Sequence, residues 1–341
     1  MKQITLGIIG NGKSANRYHL PFILQRKDKF KVKTIYQRSI KHDEWKKLDD
    51  IQYTDDLESM LNDPDIDCVV ISTPSSVHYS LAKQVLNANK NCVVEKPFTE
   101  TLEEAQELFD LAKSKGLMVQ CYQNRRFDSD LVTAQSIMKS GILGDLLELE
   151  LSFDYERSEV VESVHHFSKI NSFYYGHACH SIDQVIHVFG KPNRVVYDVR
   201  QLLGEGRMND YFDLDLFYDS IKVSIKSSFF RVHKRPSLVL VGKKGSYVKV
   251  TKDKQEDQLK SFLWPDWPTF GLDDRNEYGT LYYVDKDKKY HEEKVETLKG
   301  DYGTYYDYLY ETLANGAEKL VKDEHTIWQL EMLEEGIAGL K

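Results

Sequence analysis

The sequence predicts two domains: an N-terminal α/β domain built on a doubly wound parallel sheet, and a C-terminal α+β domain with a large, mostly antiparallel, open-faced sheet. At 341 residues the chain is long for a single hydrophobic core. Its first part alternates near-continuous apolar runs with helical segments, whereas its later part carries strands with one polar face. We place the division between residues 1–123 and 124–341.

Apolar runs at regular intervals define the first domain. Strands are predicted at residues 4–9, 30–36, 68–72, 91–95 and 118–122. Helices are predicted at 14–25, 57–61, 77–88 and 101–115. Pro21 interrupts the first helix, and Thr101 with Glu104 forms a capping box at the start of the last. Strands that are apolar on both faces and alternate with helices form a parallel sheet, and right-handed crossovers make it doubly wound.

Alternating polarity defines the second domain. Between residues 146 and 155, apolar side chains at every second position (Leu147, Leu149, Leu151 and Phe153) are separated by polar residues, which is the period of a strand with one wet face. Further strands are predicted at 195–203, 211–218, 222–230, 238–241, 247–250 and 279–284, and helices at 178–189, 304–315 and 324–339. Such a sheet leaves one face open, so we expect a homodimer, or a dimer of dimers, through that face.

Composition excludes several classes of partner. The net charge is −8 with both signs interspersed, which argues against a nucleic-acid or anionic-membrane surface. No apolar run approaches the length of a membrane span, and a strand pattern begins at once, leaving no room for a signal peptide. The four cysteines are scattered without a Cys-x-x-Cys pair. We therefore expect a cytoplasmic protein with a small-molecule substrate.

The first predicted strand runs into a glycine turn that is typical of dinucleotide binding. Gly10 permits the tight turn, Gly12 lets the backbone approach a pyrophosphate, and the small Ala15 lets helix pack on strand. The N-terminus of the following helix offers N–H groups to phosphate. A purely structural glycine turn is the alternative, but the strand before it and the helix after it favour a dinucleotide.

The end of the second strand bears on which dinucleotide binds. NAD-binding domains usually carry an acid there for the ribose 2′-hydroxyl, whereas this chain has Gln37, Arg38 and Ser39 and no acid before Asp43. Arg38 offers a guanidinium and Ser39 a hydroxyl to a 2′-phosphate. We therefore favour NADP. NAD remains open, because Arg38 can equally be a solvated loop cation.

The fourth strand ends in Glu95, Lys96 and Pro97, at the edge where open α/β sheets bind their ligands. This placement makes Lys96 a candidate for chemistry beside the cofactor. The alternative is that Lys96 is only an ion-pair partner of Glu95.

These motifs, taken together, resemble the Gfo/Idh/MocA oxidoreductases. The resemblance spans essentially the whole chain and rests on residues 10–15, 73–78, 95–97, 122–127, 179–183, 242–246 and 300–306. It is closest to the branch that holds NADP-dependent scyllo-inositol dehydrogenase. The resemblance implies a cis bond between Lys96 and Pro97. With the residues named above, the expected cofactor site is Gly10, Asn11, Gly12, Lys13, Ala15, Arg38, Ser39, Thr73, Pro74, His78, Glu95, Lys96 and Asn124.

The resemblance also implies hydride transfer between a nicotinamide cofactor and a secondary alcohol of a sugar, polyol or inositol-like substrate. Removing a hydride from C–H requires the neighbouring O–H proton to leave, and His180 titrates near neutrality and suits the base. Lys96 would donate to the same oxygen. A core or surface histidine on helix 178–189 is the alternative reading of His180.

One position departs from the family pattern. Many members carry an aspartate four residues before the histidine, where this chain has Gly176. His177 is a weak substitute, and Asp183 is expected to be a supporting partner instead. The missing aspartate keeps two other functions open: a cofactor-binding sensor without turnover, and a glycosidase that oxidises its substrate transiently.

Other features receive plainer interpretations. His165 and His166 lack accompanying ligands at metal-binding spacing, so no metal is expected. The aromatic loop at 262–270 either covers a sugar-like ring or fills a junction. The tyrosines between 302 and 310 have helical spacing and are expected in the core.

Overall fold

The chain forms two compact units in a computed structural model, which describes residues 3–39, 45–156 and 166–340. The first unit comprises Met1–Asn124, Gln258–Pro268 and Tyr302–Ile327. The second comprises Arg125–Asp257, Thr269–Asp301 and Trp328–Lys341. The division at residues 123 and 124 stays a prediction as a domain boundary. No helix among the described residues is long and apolar enough to cross a membrane.

The first unit is built on a six-stranded parallel sheet with the order β3-β2-β1-β4-β5-β6. Its strands are β1 (Ile4–Ile9), β2 (Phe30–Tyr36), β3 (Gln52–Thr54), β4 (Cys68–Ile71), β5 (Asn91–Val94) and β6 (Val119–Cys121). Its helices are α1 (Leu20–Leu24), α2 (Leu57–Leu61), α3 (His78–Asn87) and α4 (Leu102–Ser114). The predicted doubly wound parallel sheet is confirmed.

Local sequence explains where these helices begin. Pro21 lies in the first turn of α1, where its missing N–H costs nothing, and a π-helical turn at Ala15–His19 precedes it. The capping box of α4 is confirmed: the Thr101 hydroxyl accepts from the Glu104 backbone, and the Glu104 side chain accepts from the Thr101 backbone. Strand β3 escaped prediction because it is three residues long and half-exposed.

The second unit contains an eight-stranded sheet with the order β14-β13-β12-β11-β7-β10-β9-β8. Its strands are β7 (Leu146–Ser152), β8 (Arg194–Arg200), β9 (Tyr211–Phe217), β10 (Lys222–Ser228), β11 (Leu238–Gly242), β12 (Gly245–Lys249), β13 (Gly279–Val284) and β14 (Tyr290–Val295). Its pairings are antiparallel except that of β7 with β10. The predicted, mostly antiparallel sheet is confirmed.

The remaining helices are α5 (Ser129–Ser140), α6 (Cys179–Phe189), α7 (Gln255–Lys260), α8 (Thr304–Asn315) and α9 (Asp323–Ile337). Helix α6 contacts β10, and Leu149, Val223 and Ile225 are buried in the sheet. Residues that alternate with these form the other face, where Lys226 pairs with Glu150 at 2.6 Å and Lys222 with Asp215 at 2.8 Å.

Candidate functional site

The glycine turn of the first unit lies against the ends of two neighbouring strands. Gly10 has φ of +106°, and its N–H donates to the Tyr36 carbonyl at 2.8 Å. A Cβ at Gly10 would lie 2.5 Å from the Ser72 carbonyl oxygen, just past β4. Both the backbone angle and this contact therefore require glycine at position 10.

No steric contact among the described residues requires glycine at position 12. A Cβ there would meet no atom within 4 Å, and both Gly12 and Lys13 are exposed. Ala15, by contrast, is fully buried at the start of the π-helical turn. The turn thus packs on one side and presents open backbone on the other. Local π-helical geometry is common at functional sites.

A hydrogen-bonded network ties this turn to the end of β2. The Asn11 side-chain amide donates to Gln37 Oε1 at 2.7 Å. The Asn16 amide donates to the side-chain and backbone oxygens of Asn11 at 2.9 and 3.2 Å. Gln37 is only 7% exposed, and its side chain accepts the bond from Asn11 within the protein. Arg38 and Ser39, which follow it, are exposed. The first acidic residue after β2, Asp43, lies outside the described residues.

Glu95 is the centre of a buried network at the end of β5. Its Oε1 accepts from the Ser14 hydroxyl and from His19 Nε2, the latter at 3.1 Å, and its Oε2 accepts from the Lys96 backbone N–H at 3.0 Å. Burial by itself raises the pKa of Glu95, but the bonds and charges of His19 and Lys96 outweigh it, with Ser14, and hold the pKa at about 2. Glu95 is therefore an anion that joins the glycine turn to Lys96.

His19 and Tyr306 complete this network, and sequence reasoning missed both. His19 is fully buried, and its Nδ1 lies 2.6 Å from the Tyr306 hydroxyl. A carboxylate only accepts, so His19 Nε2 donates to Glu95, while Nδ1 hydrogen-bonds the tyrosine hydroxyl. A histidine on an apolar helical face is the one local signal, because 287 positions separate it from its tyrosine partner.

The remaining cofactor candidates of the first unit surround Lys96. Lys96 is half-buried, and the bond between Lys96 and Pro97 is cis, as the resemblance implied. His78 is 1% exposed, and its two ring nitrogens lie 2.8 Å from the Pro97 carbonyl and 3.0 Å from the Thr73 carbonyl. Burial lowers the pKa of His78, although both carbonyls raise it. His78 therefore ties the loop after β4 to the loop after β5.

Two further predicted residues lie on these loops or close to them. Pro74 is exposed after Thr73, and Asn124 is 8% exposed where a short 3-10 turn, Asn124–Phe127, begins after β6. Contact of any of these residues with a cofactor stays a prediction.

His180 lies in the second unit, at the start of α6. It is half-buried and follows a second π-helical turn, Tyr174–Ala178. His177 sits within that turn, where its Nδ1 donates to the Phe173 carbonyl at 3.0 Å and its ring packs on Phe173 and Tyr155. A Cβ at Gly176 would meet no atom within 4 Å, so crowding does not explain the missing aspartate.

Asp183 forms a buried ion pair with Arg126, and its support of the candidate site stays a prediction. Both of its carboxylate oxygens accept from the Arg126 guanidinium, at 2.7 and 2.8 Å, and both side chains are almost completely buried. The pair joins the first turn after β6 to α6.

The tyrosines, the aromatic loop and the paired histidines lie as follows. Tyr302, Tyr305, Tyr306 and Tyr310 are buried, which confirms their core assignment, while Tyr308 is 47% exposed. Phe262 and Trp264 belong to the first unit, and their ring centroids are 6.1 Å apart. His165 lies outside the described residues. Within them, no group of three His, Cys, Asp or Glu side chains is arranged to hold a metal.

Comparison with known proteins identifies the family. Residues 4–123 match the oxidoreductase family with an NAD-binding Rossmann fold, and residues 137–338 match the C-terminal α/β domain of the same family. The chain is similar to the uncharacterized oxidoreductase YhhX of Escherichia coli, with 43% identity over 98% of this chain and 96% of the relative. It is also similar to the NADP-dependent scyllo-inositol 2-dehydrogenase IolW of Bacillus subtilis, with 30% identity over 99% and 94%.

Solved structures agree. A crystal structure of YhhX matches with a TM-score of 0.94 and 42% identity, covering 99% of this chain and 97% of that one. An oxidoreductase from Bacillus cereus matches with a TM-score of 0.92 and 39% identity, covering 99% and 96%. The matches of both domains and of these full-length relatives agree, and the chain belongs to the Gfo/Idh/MocA family of NAD(P)-binding oxidoreductases.

Proposed function

We propose that this protein is an NADP-dependent dehydrogenase that oxidises or forms a secondary alcohol on a sugar, polyol or inositol-like substrate. The observation that carries the proposal is the position of Lys96 at the carboxyl end of β5. Its backbone is held by buried Glu95, and Glu95 is held by Ser14 of the glycine turn. A lysine fixed to the cofactor turn in this way supports a role at the reacting oxygen.

The described residues fit a dinucleotide. A Cβ at Gly12 would meet no atom within 4 Å, so the turn leaves space beside its backbone, and a helical segment begins at Ala15 directly after it, as in sites that bind phosphate at a helix N-terminus. Exposed Arg38 and Ser39, together with the inward-turned Gln37, favour a 2′-phosphate over a 2′-hydroxyl. The name of the relative IolW, an NADP-dependent enzyme, points the same way.

A bound nicotinamide would supply the hydride-transfer chemistry, and residues of the chain would hold and move the proton. The Lys96 ammonium hydrogen-bonds the substrate oxygen and stabilises its developing negative charge. His180 accepts the hydroxyl proton during oxidation and returns it during reduction. His78 acts indirectly, by keeping the loops after β4 and β5 together.

We further propose that the molecule is a cytoplasmic homodimer, or a dimer of dimers, that pairs through the polar face of its eight-stranded sheet. All four cysteines are buried, where thiols behave as small hydrophobic side chains, and this is consistent with a reducing compartment.

Purified protein incubated with NADP+ or NAD+ and a panel of sugars, polyols and inositols tests the proposed activity, with reduced nicotinamide followed by absorbance. We expect turnover with at least one secondary alcohol and a lower KM for NADP+. Tight binding of cofactor with no turnover in either direction would contradict the proposal and favour a sensor.

A further inference from the structure

Arg17 is a cation beside the glycine turn that the proposed site does not use. Its guanidinium carbon lies 5.6 Å from the ring centroid of Trp45 and 5.6 Å from that of Phe262, and the two centroids are 6.3 Å apart. We call these three residues the Arg17 cluster. Among the described residues, the buried Nε of Arg17 has no hydrogen-bond partner. The guanidinium is therefore positioned by aromatic rings, and its donors are not all consumed.

Phe262 enters this cluster from the end of helix α7. Its φ of +60° belongs to the turn that ends the helix, where the Leu263 N–H donates to the Gln258 carbonyl at 2.9 Å and the Phe262 N–H donates to the Leu259 carbonyl at 3.2 Å. The side chain of Phe262 is 55% exposed, and its ring faces the Arg17 guanidinium and the ring of Trp45.

The residue before Arg17 belongs to the network that joins the glycine turn to the end of β2, where NADP-binding and NAD-binding domains differ. Arg17 directly follows Asn16, whose amide bonds Asn11, and Asn11 in turn bonds Gln37 at the end of β2. Trp45 lies farther along the segment that leaves β2. In a doubly wound sheet, the end of β2 faces the 2′ position of the adenosine ribose.

We propose that Arg17 recognises the 2′-phosphate of NADP and thereby sets cofactor preference. This inference rests on the proposed function. The planar guanidinium offers two parallel N–H donors to one phosphate, and the rings of Trp45 and Phe262 hold that plane in place. Arg38, exposed at the end of β2, supplies a second cation to the same group.

The test measures binding of NADP+, NAD+, 2′,5′-ADP and 5′-ADP to the full chain by titration calorimetry, for wild type, Arg17→Ala and Arg17→Lys. Arg17→Ala should weaken NADP+ and 2′,5′-ADP by at least about tenfold and leave NAD+ and 5′-ADP within about twofold, since a charge-assisted bidentate contact is lost. Arg17→Lys keeps the positive charge but lacks the two parallel N–H donors of the guanidinium, so its loss of affinity for NADP+ and 2′,5′-ADP should be intermediate.

Lys13→Ala is the matched control. Lys13 is an exposed cation of the same turn. Its replacement should weaken the binding of NADP+ and NAD+ to the same extent, because both carry the pyrophosphate. Equal weakening of both cofactors by Arg17→Ala, or no weakening of either, would overturn the inference while leaving the proposed function intact. A wild-type chain that binds no nicotinamide dinucleotide would overturn both.

Discussion

Glu95 shows how single residues prepare this site. A carboxylate taken out of water is costly unless several donors compensate it, and here Ser14, His19 and the Lys96 backbone all donate to one group. Because the donors come from the glycine turn and from the strand end, the charge fixes their relative positions. The Tyr306 hydroxyl in turn holds the His19 ring through a hydrogen bond to its other nitrogen, Nδ1.

The ionisation of Glu95 predicts an acid limb in stability. Its folded-state pKa of about 2 lies below the ordinary value of 4.5. A depressed carboxyl pKa contributes stability above the unfolded pKa, and that contribution is lost as the pH falls toward the folded pKa. Urea unfolding at a series of pH values measures this. Between about pH 4.5 and 2, the free energy of unfolding of the wild type should fall by on the order of 3 kcal/mol more than that of Glu95→Gln. Parallel curves for the two proteins would contradict the network.

Arg126 and Asp183 give a second test at the residue scale. Removing one partner of a fully buried ion pair leaves a charge without compensation, so Asp183→Ala should lower the free energy of unfolding by about 3–5 kcal/mol. The control is Asp145→Ala, because Asp145 pairs with Lys243 in solvent, and it should cause no measurable loss. Chemical denaturation measures both. Equal, small effects would show that the buried pair contributes nothing.

Among the elements, those with strong local patterns are the ones that sequence predicts. Strands β1 and β2 and helices α2 and α8 begin and end where expected, because apolar periodicity and caps are local. Strand β14 was missed because charged and exposed residues fill this edge strand. Helix α5 was missed, although Leu131, Ala134 and Ile137 are buried along one side and Gly141 ends the helix in the left-handed conformation; its N-cap residue, Asp128, makes no side-chain cap hydrogen bond.

The candidate site divides in the same way. The glycine turn, Lys96 and Asp183 follow from short motifs and from the ends of predicted elements. His19 and Tyr306 do not, since only the tertiary fold brings together residues so far apart in the chain. Arg17 is also missed, because its ring neighbours Trp45 and Phe262 come from separate segments.

The π-helical turn before α6 supports a gain-of-function prediction. Gly176 has open space at its Cβ position, so Gly176→Asp should fold with a change below about 1 kcal/mol in the free energy of unfolding. A carboxylate there should raise kcat by roughly tenfold by orienting the substrate hydroxyl or sharing its proton. Steady-state kinetics checks this. Gly176→Asn has the same shape without the charge, and an equal rise in that variant would exclude the carboxylate as the cause.

At the scale of the whole molecule, the open face of the eight-stranded sheet predicts self-association. Val239 lies on this face, in register with Glu150, and Glu150 is already paired with Lys226. Val239→Glu adds a like charge that should cost several kcal/mol in a dimer interface. Sedimentation equilibrium should find wild-type dimer and variant monomer at the same concentration.

The control for this prediction is Val232→Glu, which changes a residue that is 81% exposed and lies outside the strands. It should leave the dimer intact. A wild-type protein that sediments as a monomer would contradict the pairing of this face.

The central claim is that Lys96 performs chemistry on a substrate beside a bound nicotinamide cofactor. Lys96→Ala, compared with the exposed helical variant Lys113→Ala, tests it most directly when kcat and the Kd for cofactor are measured together. The account predicts that Lys96→Ala lowers kcat by at least about 100-fold and raises the Kd for NADP+ by no more than about tenfold, because Lys96 also lies in the expected cofactor site, with Lys113→Ala unchanged in both. Full turnover in Lys96→Ala would contradict it.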